Sequence, residues 1–277
     1  MTKQIIVAII VVSSALTGTR SSPQLSAQAS AKGSPVASKA QTAPVDPASM
    51  PLFNVTIVQL KPDMVVAWRE FQEKETLPML RKAGVRERRV FQTVIGPAFE
   101  FGTMTPAAGL AERDGQSPVV KALGEEGARA YGERLRRFVA SQRTLVLRLR
   151  TDLSWVPDAN AKLPVAVLSN YSIAAGRTAE FESYLRTEMM PAHKKLNTGG
   201  YSVYQTQFGG DPTFYVASLM PNYAEIDKGA AITRALGPSG AARAQLKLAG
   251  VVAHVERVVV HEVAELSLAG RSISDNR

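Results

Sequence analysis

The chain contains no cysteine among its 277 residues. That excludes disulfides, thiolate catalysis, Cys-ligated zinc, iron–sulfur clusters and a lipid anchor on cysteine. Histidine is nearly as scarce, with only His193, His254 and His261 present. No HExxH or comparable spacing joins them, so no metal is expected. No GxGxxG follows a predicted strand, and there is neither a P-loop nor a GxSxG elbow. Long apolar runs are missing too. The longest, Ile5 to Leu16, is well short of the roughly 20 residues that cross a bilayer.

That run has a different meaning. Met1-Thr2-Lys3 is a short basic start, and Ala27-Gln28-Ala29 is an A-x-A-like cleavage site. Together they read as a secretory signal peptide over residues 1–29, so the protein is expected to be exported, periplasmic or secreted. No membrane span is expected once the signal is removed; an uncleaved anchor is the alternative. Residues 30–51 are rich in Ala, Ser and Pro and read as a disordered tether, and residues 269–277 as a disordered tail.

The net charge is +9, and it is unevenly spread. Residues 1–60 carry +3, residues 61–162 carry +5 and residues 163–277 carry +1. Arg81, Lys82, Arg86, Arg88 and Arg89 form one basic cluster; Arg134, Arg136 and Arg137 form another. Glutamates are interspersed and few aromatics accompany the arginines. A solvated helix face is therefore favoured over a nucleic-acid partner.

The sequence also says nearly the same thing twice. Glu75-Thr76-Leu77-Pro78 returns as Glu188-Met189-Met190-Pro191, an offset of 113. Val90-Phe91-Gln92-Thr93 returns as Val203-Tyr204-Gln205-Thr206, Ala122-Leu123-Gly124 as Ala235-Leu236-Gly237, and Leu153-Ser154 as Leu266-Ser267, all at 113. Around the third strand a two-residue slip is expected, matching Phe99 to Phe214 and Pro106 to Pro221. A period this long means whole domains in tandem. They are placed at residues 52–160 and 161–268.

Each copy reads in the same order. Strand one covers Phe53 to Leu60 and Val165 to Tyr171. Helix one carries Trp68 and Phe71, answered by Phe181 and Tyr184, with Pro78 and Pro191 expected to kink or end it. Strand two alternates over Arg89 to Ile95 and Ser202 to Phe208, and strand three follows a turn. A broken helical region is closed by Gly124 and Gly237. A longer second helix carries Tyr131, with His254 near its end in copy two, and strand four begins near Leu145 and Val258. The order βαββαβ, twice, is the α+β, ferredoxin-like plan: an antiparallel sheet with helices on one face. The other face must be covered. Two tandem copies can cover each other as an intramolecular pseudo-dimer.

On the aromatic-rich first helix ending in Glu-x-x-Pro, and the glycine-flanked strand pair after it, the chain resembles the dimeric α+β barrel superfamily, and within it the NIPSNAP-like proteins. That resemblance implies several possible functions: cofactor-free monooxygenases, isomerases, haem-degrading or haem-binding enzymes, and proteins without assigned activity. Haem is thus the one cofactor it leaves open.

Glu75 and Glu188 are the candidate catalytic bases, each two turns after an aromatic on the same helix stripe. The competing reading gives each carboxylate a structural partner. Gln92, Thr93, Gln205 and Thr206, with Tyr204, are candidate ligand contacts on strand two. Alternation puts Gln92 with Val90 and Thr93 with Phe91. The favoured alternative pairs Gln92 with Gln205 across the copy–copy interface. His193 and His261 are candidate ligand contacts or haem ligands, and because all three histidines lie in copy two, that copy is the better bet. The leading function is binding of a small, mainly apolar molecule or a protein partner, with homo-oligomerisation open. The rival is an enzyme using a helix-one glutamate.

Overall fold

The computed structural model describes residues 49–158 and 161–268. The expected signal peptide, the C-terminal tail and nearly all of the tether lie outside them. Among the described residues, no helix is long and apolar enough to cross a membrane.

Eight strands form: β1 (Leu52–Leu60), β2 (Arg89–Ile95), β3 (Glu100–Ala107), β4 (Val139–Leu149), β5 (Val165–Ile173), β6 (Gly200–Phe208), β7 (Thr213–Met220) and β8 (Val252–Glu262). Helix α1 spans residues 65–82 and α2 is Pro118–Phe138; α3 spans residues 178–196 and α4 is Ala231–Leu246. The sheet closes on itself in the order β1-β3-β2-β8-β5-β7-β6-β4, with β4 returning to β1. Within each half the order is that of the ferredoxin-like plan. The halves do more than lay one sheet over the other. They join edge to edge through two antiparallel seams, β2 with β8 and β4 with β6. Closure removes the four edges that two open sheets would expose.

The core has three parts, and the side-chain alternation of the strands produces them. Inside the barrel sit Leu145, Leu147 and Tyr215, with Val55, Ile57, Leu168 and Tyr204 against them. Between the helices and the sheet of the first half lie Trp68, Val90 and Phe101, continuing into Phe71, Met79 and Tyr131. In the second half the corresponding space is filled by Phe181, Tyr184, Tyr201 and Phe214.

The repeat holds at one offset. β1, β3 and β4 begin 113 residues before β5, β7 and β8. The expected slip is absent: Val58 pairs with Phe101 as Tyr171 pairs with Phe214. Phe101, not Phe99, is therefore the counterpart of Phe214. Phe99 sits in the β2–β3 turn at φ 58°, and Pro106 lies on β3 opposite Phe53. Their resemblance to Phe214 and Pro221 was one of residue type only.

Helix one neither ends nor breaks at its proline. In α1 the residues Gln72–Thr76 form a π turn directly before Pro78, with the Leu77 N–H donating to the Gln72 carbonyl. In α3 residues Leu185–Met189 do the same before Pro191, and Met190 donates to Leu185. A proline ring clashes with the carbonyl four residues back and supplies no N–H. The wider i→i+5 turn accommodates both defects. Helix two breaks where expected: Gly124 and Gly237 take φ 70° and 72° inside α2 and α4. His254 is on β8, not at a helix end, since β4 and β8 each begin six residues earlier than the sequence suggests.

Candidate functional site

A pocket of about 310 Å³ opens between α1 and α2. Pro78, Met79, Leu123 and Tyr131 supply its apolar wall, and Glu75, Lys82 and Arg134 its charges. Gly124 turns the chain just after Leu123, so the short first segment of α2 stands beside the end of α1. Arg134 donates to Glu75 at 2.6 Å, and its guanidinium lies 6.0 Å from the Phe71 ring centre.

Beneath this pocket the first half buries four polar groups. Both ends of the π turn, Gln72 and Thr76, face inward and are buried. Thr76 Oγ1 lies 2.8 Å from the Tyr131 hydroxyl. Arg88, 8% exposed, donates to Gln72 Oε1 at 2.8 Å and to the Leu266 carbonyl at 3.1 Å. Both acceptors are neutral. Burial pulls Arg88 down to about 10, while the nearby Tyr131 favours its charge. Burial also raises the Tyr131 phenol, against which the Thr76 hydrogen bond and Arg88 act. The phenol is therefore neutral at ordinary pH.

The second half lacks all of this. Leu185, Met189, Tyr201 and Ala244 stand 113 residues after Gln72, Thr76, Arg88 and Tyr131. Tyr201 is fully buried and its hydroxyl has no partner. Lys195, the counterpart of Lys82, donates to the Ala235 carbonyl at 2.8 Å. That bond ties α3 to the first segment of α4. Lys82 makes no such bond, and there the pocket stays open. The balance thus moves to the first half, against the expectation raised by the histidines. The sequence held a signal for this: the same four positions are polar in one copy and mostly aliphatic in the other.

Most of the residues singled out from the sequence have structural partners. Glu188 accepts from Lys247 at 2.5 Å, the counterpart of the Glu75–Arg134 pair, so each glutamate has a cation as its partner. Gln92 and Gln205 do not meet, because the closed barrel sends each to a different seam. Gln92 pairs with His261 on β8 and accepts from Arg69 at 3.3 Å. Gln205 pairs with Arg148 on β4 and accepts from Arg150 at 3.1 Å. Thr93 donates to Glu100 at 2.9 Å, and Thr206 to the Thr213 carbonyl at 3.1 Å. Tyr204 packs edge-on against Phe53 with ring centres 5.8 Å apart.

His193 is 2% exposed, with Nδ1 2.8 Å from Thr198 Oγ1 and its ring 4.6 Å from that of Tyr201. Burial lowers it to about 4. Haem iron would have to reach a ring nitrogen of an imidazole that is 2% exposed, so the surroundings of His193 do not fit haem. His261 borders a second pocket of about 260 Å³ on the β2–β8 seam, with Arg69, Gln92, Glu262 and Glu265. Its Nδ1 lies 3.0 Å from the Tyr223 hydroxyl. That lining is charged, which suits haem no better. Among the described residues no group of three His, Asp or Glu could hold a metal ion.

The chain has the dimeric α+β barrel fold, and solved structures show the same architecture. A candidate monooxygenase from Lactobacillus acidophilus superposes with a TM-score of 0.52 at 10% identity, over 81% of this chain and 98% of its own. An anthrone oxidase-like protein superposes with a TM-score of 0.53 at 10% identity, over 79% and 94%. A NIPSNAP-like domain protein from Burkholderia xenovorans matches 35% of this chain and 83% of its own, at 16% identity and a TM-score of 0.31. At 10% identity the first two likenesses are of fold alone. No protein-family model matches the sequence, and no curated protein matches it.

Proposed function

We propose that this protein binds a small, mainly apolar molecule in the pocket between α1 and α2 of its first half. The observation that carries the reading is the contrast between equivalent places. In the second half Tyr201 stands in place of Arg88 and Lys195 ties the helices together, whereas the first half keeps an opening over buried polar groups. A fold used only for assembly has no reason to bury Gln72, Thr76, Arg88 and Tyr131 in one copy alone, since buried polar groups cost stability unless fully paired. π turns also recur at functional sites.

Catalysis by Glu75 or Glu188 has weaker support, as each carboxylate is held by a cation of the following helix. Haem has weaker support still. Export remains part of the proposal and rests on the N-terminal Lys3, the apolar run and Ala27-Gln28-Ala29. Ligand-observed NMR with small aromatic fragments tests the binding reading. Fragments that bind saturably to the wild type should lose binding in Leu123→Trp, which fills the pocket from its rim. Binding that is unaffected by Leu123→Trp, or absent altogether, rejects it.

A further inference from the structure

Resting on that pocket reading, we infer that the ligand is an anion: a small molecule with an apolar body and one carboxylate or like-charged head, taken by Lys82 at the mouth of the pocket. Three features of the first half point to a missing negative charge.

The first is a count of charge. The lining holds Lys82 and Arg134 against Glu75 alone. Arg134 is already engaged with Glu75, which leaves Lys82 as the free cation among the lining residues.

The second is what Lys82 fails to do. Its counterpart Lys195 closes the equivalent gap by donating to the Ala235 carbonyl. The corresponding acceptor, the Ala122 carbonyl, is present in the first half, one residue before Leu123. Lys82 leaves it, so a lysine whose position can latch the helices stands open over an apolar wall. Once an anion occupies the pocket, the ammonium gains a charged acceptor in place of a neutral one, and charge-assisted bonds are the stronger kind.

The third is Arg88. A buried guanidinium is normally neutralised by a carboxylate. Here its acceptors are an amide oxygen and a backbone carbonyl. Its positive field is felt at Tyr131, which forms part of the pocket wall. In the second half a tyrosine replaces it. A fixed, uncompensated positive charge behind the wall favours any anion in front of it.

The test uses two probes of similar shape, 2-naphthoate and 2-naphthamide, titrated calorimetrically into the full chain at low ionic strength. The expected result is a preference for the acid of about tenfold, shrinking as salt is raised. Lys82→Met should remove most of the acid's preference, leaving the smaller part that the field of Arg88 supplies, and Lys82→Arg should restore most of the difference. Lys195→Met, in the second half, should leave the preference unchanged. Lys82 is exposed, so these variants are expected to fold. Equal binding of acid and amide, both blocked in Leu123→Trp, overturns the anion inference and leaves the pocket reading intact. An acid preference indifferent to Lys82→Met also overturns it. Failure of both probes to bind removes the pocket reading itself, and the inference with it.

Discussion

Arg134 of α2 holds Glu75 of α1 in an ion pair of 2.6 Å. Lys247 holds Glu188 in the same way at 2.5 Å, and both pairs join residues 59 apart. A pair kept in both halves, with Arg exchanged for Lys, is what a bracket between two helices requires. Both pairs are partly exposed, and such pairs contribute about 0–1 kcal/mol. Glu75→Gln and Glu188→Gln should therefore each lower unfolding stability by no more than about 1 kcal/mol. Urea titration checks this. A loss of several kcal/mol would show that the carboxylates organise more than the helix pair.

The Arg88–Gln72 contact makes a sharper demand. Gln72→Leu removes the side-chain acceptor of a buried cation, and an unsatisfied buried donor costs about 1–3 kcal/mol. Replacing both partners with apolar residues is often nearly neutral. Gln72→Leu should thus destabilise by about 2 kcal/mol, and adding Arg88→Met should recover most of the loss. A double-mutant cycle with no coupling would mean that Arg88 is satisfied elsewhere.

Much of this fold was legible because the chain states it twice. Trp68 and Phe181, or Gly124 and Gly237, confirm each other at a fixed offset, and alternation correctly separated Gln92 from Thr93. The seams were not legible. Whether Gln92 meets Gln205 or Arg69 depends on how two sheet edges join, and no local pattern encodes that. The π turns were also hidden, because a proline after a helical run reads as a break unless the turn before it can widen. The candidate site was missed for another reason. Similarity between the copies drew attention to what they share, the glutamates and glutamines. The proposed site lies where they differ, at Gln72, Thr76, Arg88 and Tyr131.

The β4–β6 seam depends on one glycine. Gly209 follows β6 at φ 90°, and a Cβ there would lie 2.2 Å from the Thr144 carbonyl oxygen. Thr144 is fixed in β4, so that backbone cannot yield without disturbing the seam. Its counterpart Gly96, at φ 137°, would meet Val258 Cγ1 at 2.7 Å, a side-chain atom that can rotate. Both substitutions carry backbone strain of about 1–3 kcal/mol. Gly209→Ala should cost more than Gly96→Ala, and its thermal transition should be the lower of the two. The reverse order would mean that the seam is more compliant than its backbone contact implies.

His193 should make the fold acid-sensitive. At pH 7 the imidazole is neutral in both the folded and unfolded chain, and its titration costs nothing. As the pH falls through about 6.5, the unfolded chain takes up a proton. The fold refuses that proton until about pH 4, because burial against Tyr201 disfavours the charged ring. Across that window the unfolded state binds more protons, so stability falls as the pH is lowered. At about 1.4 kcal/mol per pH unit the loss is on the order of 3 kcal/mol. Urea midpoints measured from pH 7 to pH 4 should decline in the wild type and decline less in His193→Gln, which keeps a polar group near Thr198 but does not titrate. Parallel curves for the two proteins would show that His193 is protonated in the native state well above pH 4, and that its stack on Tyr201 leaves it accessible to water.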